Sequence, residues 1–453
     1  MMNRDEYVEY NKKILHLAEK YFYETSREKI CPMKSEEELI NFWNQKVPDK
    51  KIEVDKLIEI INEGFLTGIT GIINPRFWGY ILTRPIPESH VLDVLVNATH
   101  ASPGATHLAL SSTLVEQCTY RWFLYEMGLS DFEGLYTNGG SLSILTALKC
   151  ARDQVVSRRN GISQKVVIYI SEETHYSVIR AWDILGGGID NVRKFSPNNL
   201  DELTKNIEKE KNDGITVAAI VCNFGSTNSG EIEPIKEIVD IAQRHNIWVH
   251  IDASYGGPLL MLDRGRKYRE SFQKAESFNL DLHKWIGMPV GTSIVYLSKK
   301  YSFLNSFSFS QKFLDYQNKE YNISDQCQMG IEGTRRLYGL RVWAALQLVG
   351  FDNIKIGIEK TLTVAEYLRK KLSTLEKVEV IKKSSLSVVL FRISEYCSED
   401  LHDLAKRLYD ADIVFITVSE YESKPVMRCC ISNFETSEKD VDFVIETLSE
   451  YIQ

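Results

Sequence analysis

Three short runs of uninterrupted apolar residues constrain the fold of this chain more than any other feature. They lie at residues 166–170, 217–221 and 247–251. Runs of this length and composition are typical of strands that are buried on both faces. Between the second and the third run, residues 235–245 place apolar side chains at helical spacing. This strand–helix–strand unit predicts an α/β fold, with a mostly parallel sheet flanked by helices.

The pattern of polar and apolar residues changes along the chain and predicts three domains. Residues 1–75 read as a polar helical arm, in which Ser35 precedes a helix and has the acidic Glu38 three residues further on, as in a capping box. Residues 76–345 carry the alternating pattern of the large α/β domain. Residues 346–453 predict a small α+β domain, with helices at 361–375 and 438–451 and strands at 378–381, 387–392 and 426–431.

Composition excludes several classes of protein. The formal net charge of −8 argues against binding to nucleic acid or to an anionic membrane, both of which attract basic surfaces. Residues 1–20 are charged throughout, and no apolar stretch is long enough to span a bilayer. The eight cysteines are scattered without paired spacing, which favours reduced thiols in a cytoplasm over a disulfide frame or zinc site. The nine histidines form no HExxH pattern, so we expect no metal.

Lys284 and Asp252 are the most informative pair of polar residues. Lys284 lies between Leu282 and Trp285, where an ammonium group is costly to bury unless it is neutralised. A Schiff base with an aldehyde cofactor neutralises a lysine and is a recurrent catalytic use of it. Asp252 ends the run at 247–251, where a carboxylate needs a cationic partner such as a protonated pyridine nitrogen. Together the two residues indicate pyridoxal 5′-phosphate.

Three weaker signals follow predicted strands or open a helix. Gly139, Gly140 and Ser141 precede a helix at 144–156, and a helix start of small residues suits a phosphate. His175 follows the first apolar run, and residues 223–227 follow the second. Each has a simpler interpretation: a helix cap, a loop histidine and a Gly-Ser turn. Because the carboxyl ends of parallel strands share one edge of a sheet, all of them should converge on one crevice with Lys284 and Asp252.

These motifs resemble those of the group II pyridoxal-phosphate-dependent decarboxylases, the family of glutamate, aromatic amino-acid and cysteine-sulfinate decarboxylases. The matching segments lie at residues 74–78, 139–141, 171–177, 225–227, 252–257, 283–285, 334–336 and 426–433. The resemblance implies an aspartate-aminotransferase-like (fold type I) enzyme that decarboxylates an L-amino acid to the amine and CO2. It also implies a homodimer with the active site at the subunit interface.

The resemblance implies a role for each matching residue. Lys284 forms the Schiff base, Asp252 bonds the pyridine nitrogen, and His175 stacks on the ring and helps to reprotonate the substrate carbon. The cofactor-binding set that it implies is Gly140, Ser141, His175, Thr227, Asp252, Ser254, His283 and Lys284.

The substrate-binding residues follow from the same resemblance. Arg428 matches an arginine that grips the substrate carboxylate, although an ion pair between the two domains is an alternative. Arg84, with Tyr80 and Thr83 near it, follows the Asn-Pro-Arg-Phe motif of the substrate pocket and suggests a glutamate- or aspartate-like substrate. The alternative for Arg84 is a loop arginine that faces solvent.

One departure from the family pattern keeps other reactions open. The family carries a loop tyrosine that reprotonates the substrate carbon, and its expected place falls near residues 324–326, where there is none. Tyr316 and Tyr321 are near but out of register. Without this acid, oxidative decarboxylation–deamination to an aldehyde, transamination or a lyase reaction becomes possible. A catalytically idle binding homologue is a third class, against which the intact Lys284, Asp252 and His175 argue.

Overall fold

The computed structural model describes residues 2–158, 165–309, 323–381 and 386–452. The chain divides into two compact units. The first unit contains residues 1–84, 363–382 and 389–453, and the second contains residues 85–362 and 383–388. The N-terminal segment thus groups with the C-terminal part of the chain. The predicted division at residues 75 and 345 stays a prediction.

The second unit is built around a mixed seven-stranded sheet of order β1-β7-β6-β5-β4-β2-β3. Its strands are β1 Phe132–Asn138, β2 Val166–Ser171, β3 Val192–Phe195, β4 Thr216–Asn223, β5 Trp248–Asp252, β6 Ser277–Asp281 and β7 Thr292–Ser298. The pairs β2–β3, β2–β4, β4–β5 and β5–β6 are parallel, and β7 runs antiparallel to β6 and β1. The three apolar runs are therefore β2, β4 and β5, and the predicted α/β sheet is confirmed.

The helices alternate with these strands as the pattern predicts. The α-helices of the described residues are α1 Arg4–Lys20, α2 Ser26–Glu28, α3 Glu36–Trp43, α4 Val54–Ile60, α5 Asp93–Thr99, α6 Leu110–Met127, α7 Gly140–Val155, α8 Tyr176–Ile184, α9 Leu200–Asn212, α10 Ile235–His245, α11 Arg269–Lys274, α12 Phe303–Phe307, α13 Gly339–Val349, α14 Phe351–Leu372, α15 Ser398–Asp410 and α16 Glu438–Tyr451. Helix α10 has the predicted bounds. Helix α7 begins at Gly140, four residues before the predicted start, so its first turn contains Ser141.

A continuous apolar core lies between the seven-stranded sheet and helices α7 and α8. It includes Ile168 and Ile170 of β2, Val221 of β4 and the fully buried Trp182 of α8. Every residue of β2, β5 and β6 is buried, as expected for strands that are covered on both faces. This burial makes the carboxyl ends of the strands a rigid edge on which side chains can be held.

The first unit contains a four-stranded sheet of order β10-β11-β9-β8. Its strands are β8 Val378–Val380, β9 Val388–Ile393, β10 Thr417–Tyr421 and β11 Lys424–Cys430, and the described pairings are antiparallel. The small α+β fold is thus confirmed, and α16 has the predicted bounds. The helix expected at 361–375 begins earlier, at Phe351. Ser35 and Glu38 form the predicted capping box.

Three further expectations from composition concern membrane helices, disulfides and metal sites. Within the described ranges, no helix is long and apolar enough to cross a membrane. All eight cysteines are free thiols, and Cys150, Cys222, Cys429 and Cys430 are buried. Among the residues that the structure describes, no group of three or more His, Cys, Asp or Glu side chains could hold a metal ion.

Candidate active site

A cavity of about 270 Å³ opens at the carboxyl ends of the parallel strands in the second unit. It is lined by Asn138, Gly139, Gly140, Ser141, Ile144, His175, Ser177, Asn223, Gly225, Thr227, Asp252, Ser254, Tyr255, Asp281, His283 and Lys284. All eight residues of the predicted cofactor-binding set are among them. The convergence follows from topology, because β1, β2, β4, β5 and β6 end at the same edge of the sheet.

The turn from β1 into α7 forms an anion cradle at one end of the cavity. Gly139 has a φ of +84°, a left-handed conformation that favours glycine. A Cβ atom at Gly140 would lie 2.6 Å from Oδ2 of Asp281, so this position has no room for a side chain. No side chain caps α7, and its first N–H groups face the cavity end with the positive end of the helix dipole. This arrangement suits a phosphate group.

Lys284 is held against a carboxylate that the sequence analysis missed. Its Nζ lies 3.1 Å from Oδ2 of Asp281, the last residue of β6. The Oδ1 atom of Asp281 accepts a hydrogen bond of 2.7 Å from the Ser293 hydroxyl. A signal was present, because Asp281 ends a buried strand just as Asp252 does. The signal is weaker than at Asp252, because Ser277 and Asn279 interrupt the apolar residues before Asp281.

His283 lies beside the cradle with a defined hydrogen-bonding pattern. Its Nδ1 is 3.1 Å from the Thr292 carbonyl, which only accepts, so Nδ1 carries a proton and donates it. Nε2 lies 4.0 Å from Oδ2 of Asp281. Burial lowers the pKa of His283, and Asp281 partly opposes that effect. The ring can thus present Nε2 to a ligand in the cavity.

His175 caps α8 and faces the cavity from the end of β2. Its Nδ1 accepts from the backbone N–H of Ser177 at 3.3 Å and lies 2.7 Å from the Ser177 hydroxyl. In the neutral ring the proton therefore lies on Nε2. Burial lowers the pKa of His175, and the charge of Lys284 lowers it further, whereas Asp252 raises it. A flat, neutral ring here has the chemistry to stack on a pyridine, which stays a prediction.

Asp252 ends β5 and is 8% exposed. Its Oδ1 accepts a 3.1 Å hydrogen bond from the backbone N–H of Ser254. Within the described part of the chain, no lysine, arginine or histidine forms a salt bridge with it. A buried carboxylate in this state is stabilised by a cationic ligand, and a protonated pyridine nitrogen is one. Asp252 does not cap an α-helix, because a short 3₁₀ turn at Gly257–Met261 follows it.

The segment after β4 is clamped by a second acid that sequence reasoning missed. Both oxygens of Glu233 bind Asn223: Oε2 accepts from its backbone N–H at 2.9 Å, and Oε1 accepts from its side-chain amide at 2.6 Å. Burial raises the pKa of Glu233 to about 7, against the effect of hydrogen bonds from Ser171 and Asn223. No motif marks Glu233, because its role depends on a contact ten residues away. The clamp fixes the approach to Gly225 and Thr227.

The four predicted substrate residues belong to the other compact unit. Arg428 is 5% exposed and donates to the Gly79 carbonyl at 2.6 Å. Thr83 is buried and donates to the Ser432 carbonyl at 2.9 Å, whereas Tyr80 is exposed. None of these residues is among the described residues that line the cavity. Their role in substrate binding stays a prediction.

Arg84 does not face solvent, which corrects the alternative given above. Its side chain is 7% exposed, forms an ion pair with Glu435 and donates to the Phe22 carbonyl at 3.1 Å. Its guanidinium lies over the Phe22 ring, 3.9 Å from the ring centroid. Burial lowers the pKa of Arg84 to about 10. These contacts within the first unit already neutralise the charge that was expected to meet a substrate carboxylate.

The expected place of the family's loop tyrosine is also described. Asp325 is buried and accepts from the backbone N–H of Thr106 at 2.7 Å, and a short 3₁₀ turn, Gln326–Gln328, follows it. Tyr316 and Tyr321 lie outside the described residues.

The residues around the cavity fit pyridoxal phosphate. The cradle at Gly140 suits its phosphate, Lys284 its aldehyde carbon, and Asp252 its ring nitrogen. Three groups of different chemistry therefore line one cavity, and each of them matches a different part of the pyridoxal phosphate molecule.

Comparison with known proteins agrees with this site. Residues 36–394 match the model of the pyridoxal-dependent decarboxylase conserved domain. The aromatic-L-amino-acid decarboxylase of Bacillus atrophaeus is 26% identical, over 89% of this chain and 86% of its own. The human acidic amino acid decarboxylase GADL1 is 24% identical (80% and 72%), and the phenylacetaldehyde synthase of Arabidopsis thaliana is 23% identical (87% and 85%).

Solved structures confirm the fold. Rice TDC, solved with PLP and tryptamine, superposes with a TM-score of 0.92 at 17% identity, covering 100% of this chain and 99% of the other. Mouse CSAD gives a TM-score of 0.91 at 20% identity, covering 100% of both chains. The predicted fold type I architecture is therefore confirmed. With the family model matching most of the sequence, the chain belongs to the pyridoxal-phosphate-dependent amino-acid decarboxylases, the group II family of carboxy-lyases.

Proposed function

We propose that this chain removes CO2 from an acidic L-amino acid and releases the corresponding amine. The observation that carries the proposal is the placement of Lys284 and Asp252 on one cavity, with a phosphate cradle between β1 and α7. A lysine for the aldehyde and an acid for the ring nitrogen are the two groups that this chemistry needs from a protein.

Each residue of the cavity has a task in this proposal. When bound, the cofactor supplies an electron-withdrawing ring that stabilises charge on the substrate carbon. Lys284 holds the aldehyde carbon and later moves protons, and Asp252 keeps the proton on the ring nitrogen. His175 would cover the ring face, and in its protonated form it could return a proton to the substrate carbon. Gly140, Ser141 and His283 hold the phosphate, and Thr227 and Ser254 line the remaining walls.

Two observations support an acidic substrate. A relative named as an acidic amino acid decarboxylase covers 80% of the chain. Arg428 matches an arginine that grips the substrate carboxylate in the glutamate-type enzymes of the family, and a guanidinium pairs with a carboxylate through two parallel hydrogen bonds. Arg84 is no longer part of the proposal, because Glu435 and the Phe22 ring already hold its charge.

The test is a single-turnover reaction of the cofactor-loaded protein with a panel of acidic, aromatic and diamino acids, followed by mass spectrometry of the products. We expect amine and CO2 from glutamate, aspartate or a relative, with the cofactor still an aldehyde. The matched controls are Lys284→Ala and Lys284→Arg, the second of which keeps the charge beside Asp281 but cannot hold the aldehyde carbon. Amine formation from aromatic substrates alone would overturn the acidic assignment.

A second function is favoured by one specific observation. The described residues 324–326, where the family's loop tyrosine is expected, contain no tyrosine, and a relative of comparable identity is named phenylacetaldehyde synthase. Without the family's loop tyrosine to protonate the substrate carbon, decarboxylation–deamination to an aldehyde, with O2 and water consumed and ammonia and peroxide released, is the alternative. Aldehyde in the same assay, together with peroxide detected by a coupled peroxidase, would establish it.

We also propose that the protein acts as a cytoplasmic homodimer. Helix α1 buries none of its own side chains in the single chain, and Leu15, Ile40, Trp43 and Val47 are exposed in the same unit. Apolar surface of this kind is typical of an interface. Size-exclusion chromatography with light scattering should give twice the chain mass, and a monomeric mass for the active protein would contradict the proposal.

A further inference from the structure

A short turn orients the carboxylate of Asp252, and a neighbouring strand holds that turn. Oδ1 of Asp252 accepts from the backbone N–H of Ser254 at 3.1 Å. Ser254 is itself fixed twice by β6: its carbonyl accepts from the backbone N–H of Asp281 at 3.2 Å, and its hydroxyl accepts from the Asn279 amide at 2.6 Å. Asn279 and Asp252 are direct partners in the β5–β6 register.

Asn279 makes this contact from a completely buried position. Its exposed fraction is 0%, and it lies in the middle of the fully buried strand β6. An amide in such a place is costly unless its hydrogen bonds are made, so its presence in the strand needs a reason. The short bond to Ser254 supplies one, because it joins the strand to the turn that carries Asp252.

The buried histidine near Asn279 carries no charge at neutral pH. His250, two residues before Asp252 on β5, is fully buried, and its Nδ1 lies 2.9 Å from the Ser277 hydroxyl. Burial lowers the pKa of His250 to about 4, although Asp252 and the side chain of Asn279 act in the opposite direction. At neutral pH His250 therefore contributes no positive charge beside Asp252.

We propose that Asn279 is a positioning residue for Asp252: by holding the Ser254 hydroxyl it fixes the N–H group that aims the carboxylate into the cavity. The inference rests on the proposed function, in which Asp252 meets the ring nitrogen of the cofactor. A merely structural Asn279 would support the sheet as a whole. A positioning Asn279 would affect, through Asp252, only the interaction with the ring nitrogen of the cofactor. The effect can be measured as a change in Kd.

The experiment compares two probes on the full chain after removal of its cofactor. One is pyridoxal phosphate, and the other is its 1-deaza analogue, in which C–H replaces the ring nitrogen. Asn279→Leu keeps the branching at Cγ and removes the amide, and we expect it to raise the Kd of pyridoxal phosphate about tenfold while the Kd of the deaza analogue changes less than about threefold. Asn279→Ser serves if the leucine variant does not fold.

Two reference variants calibrate the result. Asp252→Ala should lose the preference for pyridoxal phosphate, and if it does not, the proposed role of Asp252 falls independently of Asn279. Ser293→Ala removes a buried hydrogen bond of similar length from Asp281 instead, so it should change the two Kd values by the same factor. If Asn279→Leu also changes both equally, or neither, the inference is overturned.

A double-mutant cycle tests the route through Ser254. Because the amide acts on the Ser254 hydroxyl, the loss of preference in Asn279→Leu combined with Ser254→Ala should equal that of Ser254→Ala alone. Fully additive losses would show that Asn279 does not act through Ser254 and would overturn the inference.

Discussion

The Nζ atom of Lys284 lies 3.1 Å from Oδ2 of Asp281, three residues earlier in the same turn. The backbone N–H of Lys284 also donates to the Asp281 carbonyl at 3.1 Å, so the pair is held by both main chain and side chain. The Asp281 side chain is 2% exposed and that of Lys284 is 21% exposed. Asp281 thus links the lysine of the cavity to the phosphate cradle at Gly140, whose missing Cβ leaves room for it.

Replacing Asp281 with Asn should destabilise the cofactor-free protein by about 2 kcal/mol, because the substitution leaves a largely buried ammonium without its carboxylate. Urea unfolding of the cofactor-free chain measures the change. Ser293→Ala removes only one hydrogen bond to the same carboxylate and should cost less, about 1 kcal/mol. Equal stability of Asp281→Asn and the wild type would show that the pair contributes nothing.

Gly140→Ala should weaken cofactor binding at its phosphate end. The new Cβ would lie 2.6 Å from Oδ2 of Asp281 and 2.8 Å from its Oδ1, so the carboxylate or the helix start must move. We expect the Kd of pyridoxal phosphate to rise about tenfold or more, and that of phosphate-free pyridoxal to change much less. Gly333→Ala is the control, because a Cβ there meets no atom within 4 Å. A similar loss for both ligands would contradict a phosphate cradle.

Substitution of Arg84 should change the stability of the protein, whereas substitution of Arg428 should change KM for the substrate. Arg84→Met removes the partner of Glu435, whose side chain is 33% exposed, and should lower the free energy of unfolding by about 1 to 2 kcal/mol, while KM for the substrate stays the same. Arg428→Lys keeps the charge but not the two-pronged geometry, so KM should rise about tenfold. Steady-state kinetics with urea unfolding separates the two. A raised KM in Arg84→Met would return that residue to the substrate site.

Glu233 should make the free energy of unfolding fall as pH rises from 4.5 to about 7. Its pKa is raised by burial from 4.5 to about 7, so the folded state binds its proton more tightly than the unfolded state. Its stabilising contribution is therefore complete below pH 4.5 and is lost as pH rises toward 7, a change of about 3 kcal/mol.

Glu233→Gln removes this dependence. Between pH 4.5 and 7 the unfolding free energy of the variant should gain about 3 kcal/mol relative to the wild type. Urea unfolding of the cofactor-free chains at several pH values measures it. Glu237→Gln, on the exposed side of α10, shows the effect of losing a surface carboxyl in the same region. A constant difference between Glu233→Gln and the wild type would show that Glu233 does not titrate in this window.

The sequence determined the α/β class and the elements that carry the site. The runs at β2, β4 and β5 and the helical spacing of α10 are local patterns, and apolar runs as short as these favour strands that are buried on both faces. The same patterns placed Lys284, Asp252, His175 and Gly140 at one edge of a sheet. The cavity lining includes all of them, because parallel strands bring their carboxyl ends together.

Only the tertiary structure decided which polar groups pair with one another. Asp281 meets Lys284, Glu233 clamps Asn223, Asn279 holds Ser254, and Arg84 is neutralised by Glu435, a residue 351 positions away in the chain. A hydrogen bond or ion pair depends on distances of about 3 Å between side chains that local periodicity does not specify. Local sequence patterns therefore determined the α/β fold and indicated the cofactor. The tertiary structure decided which charged side chains are paired within the protein.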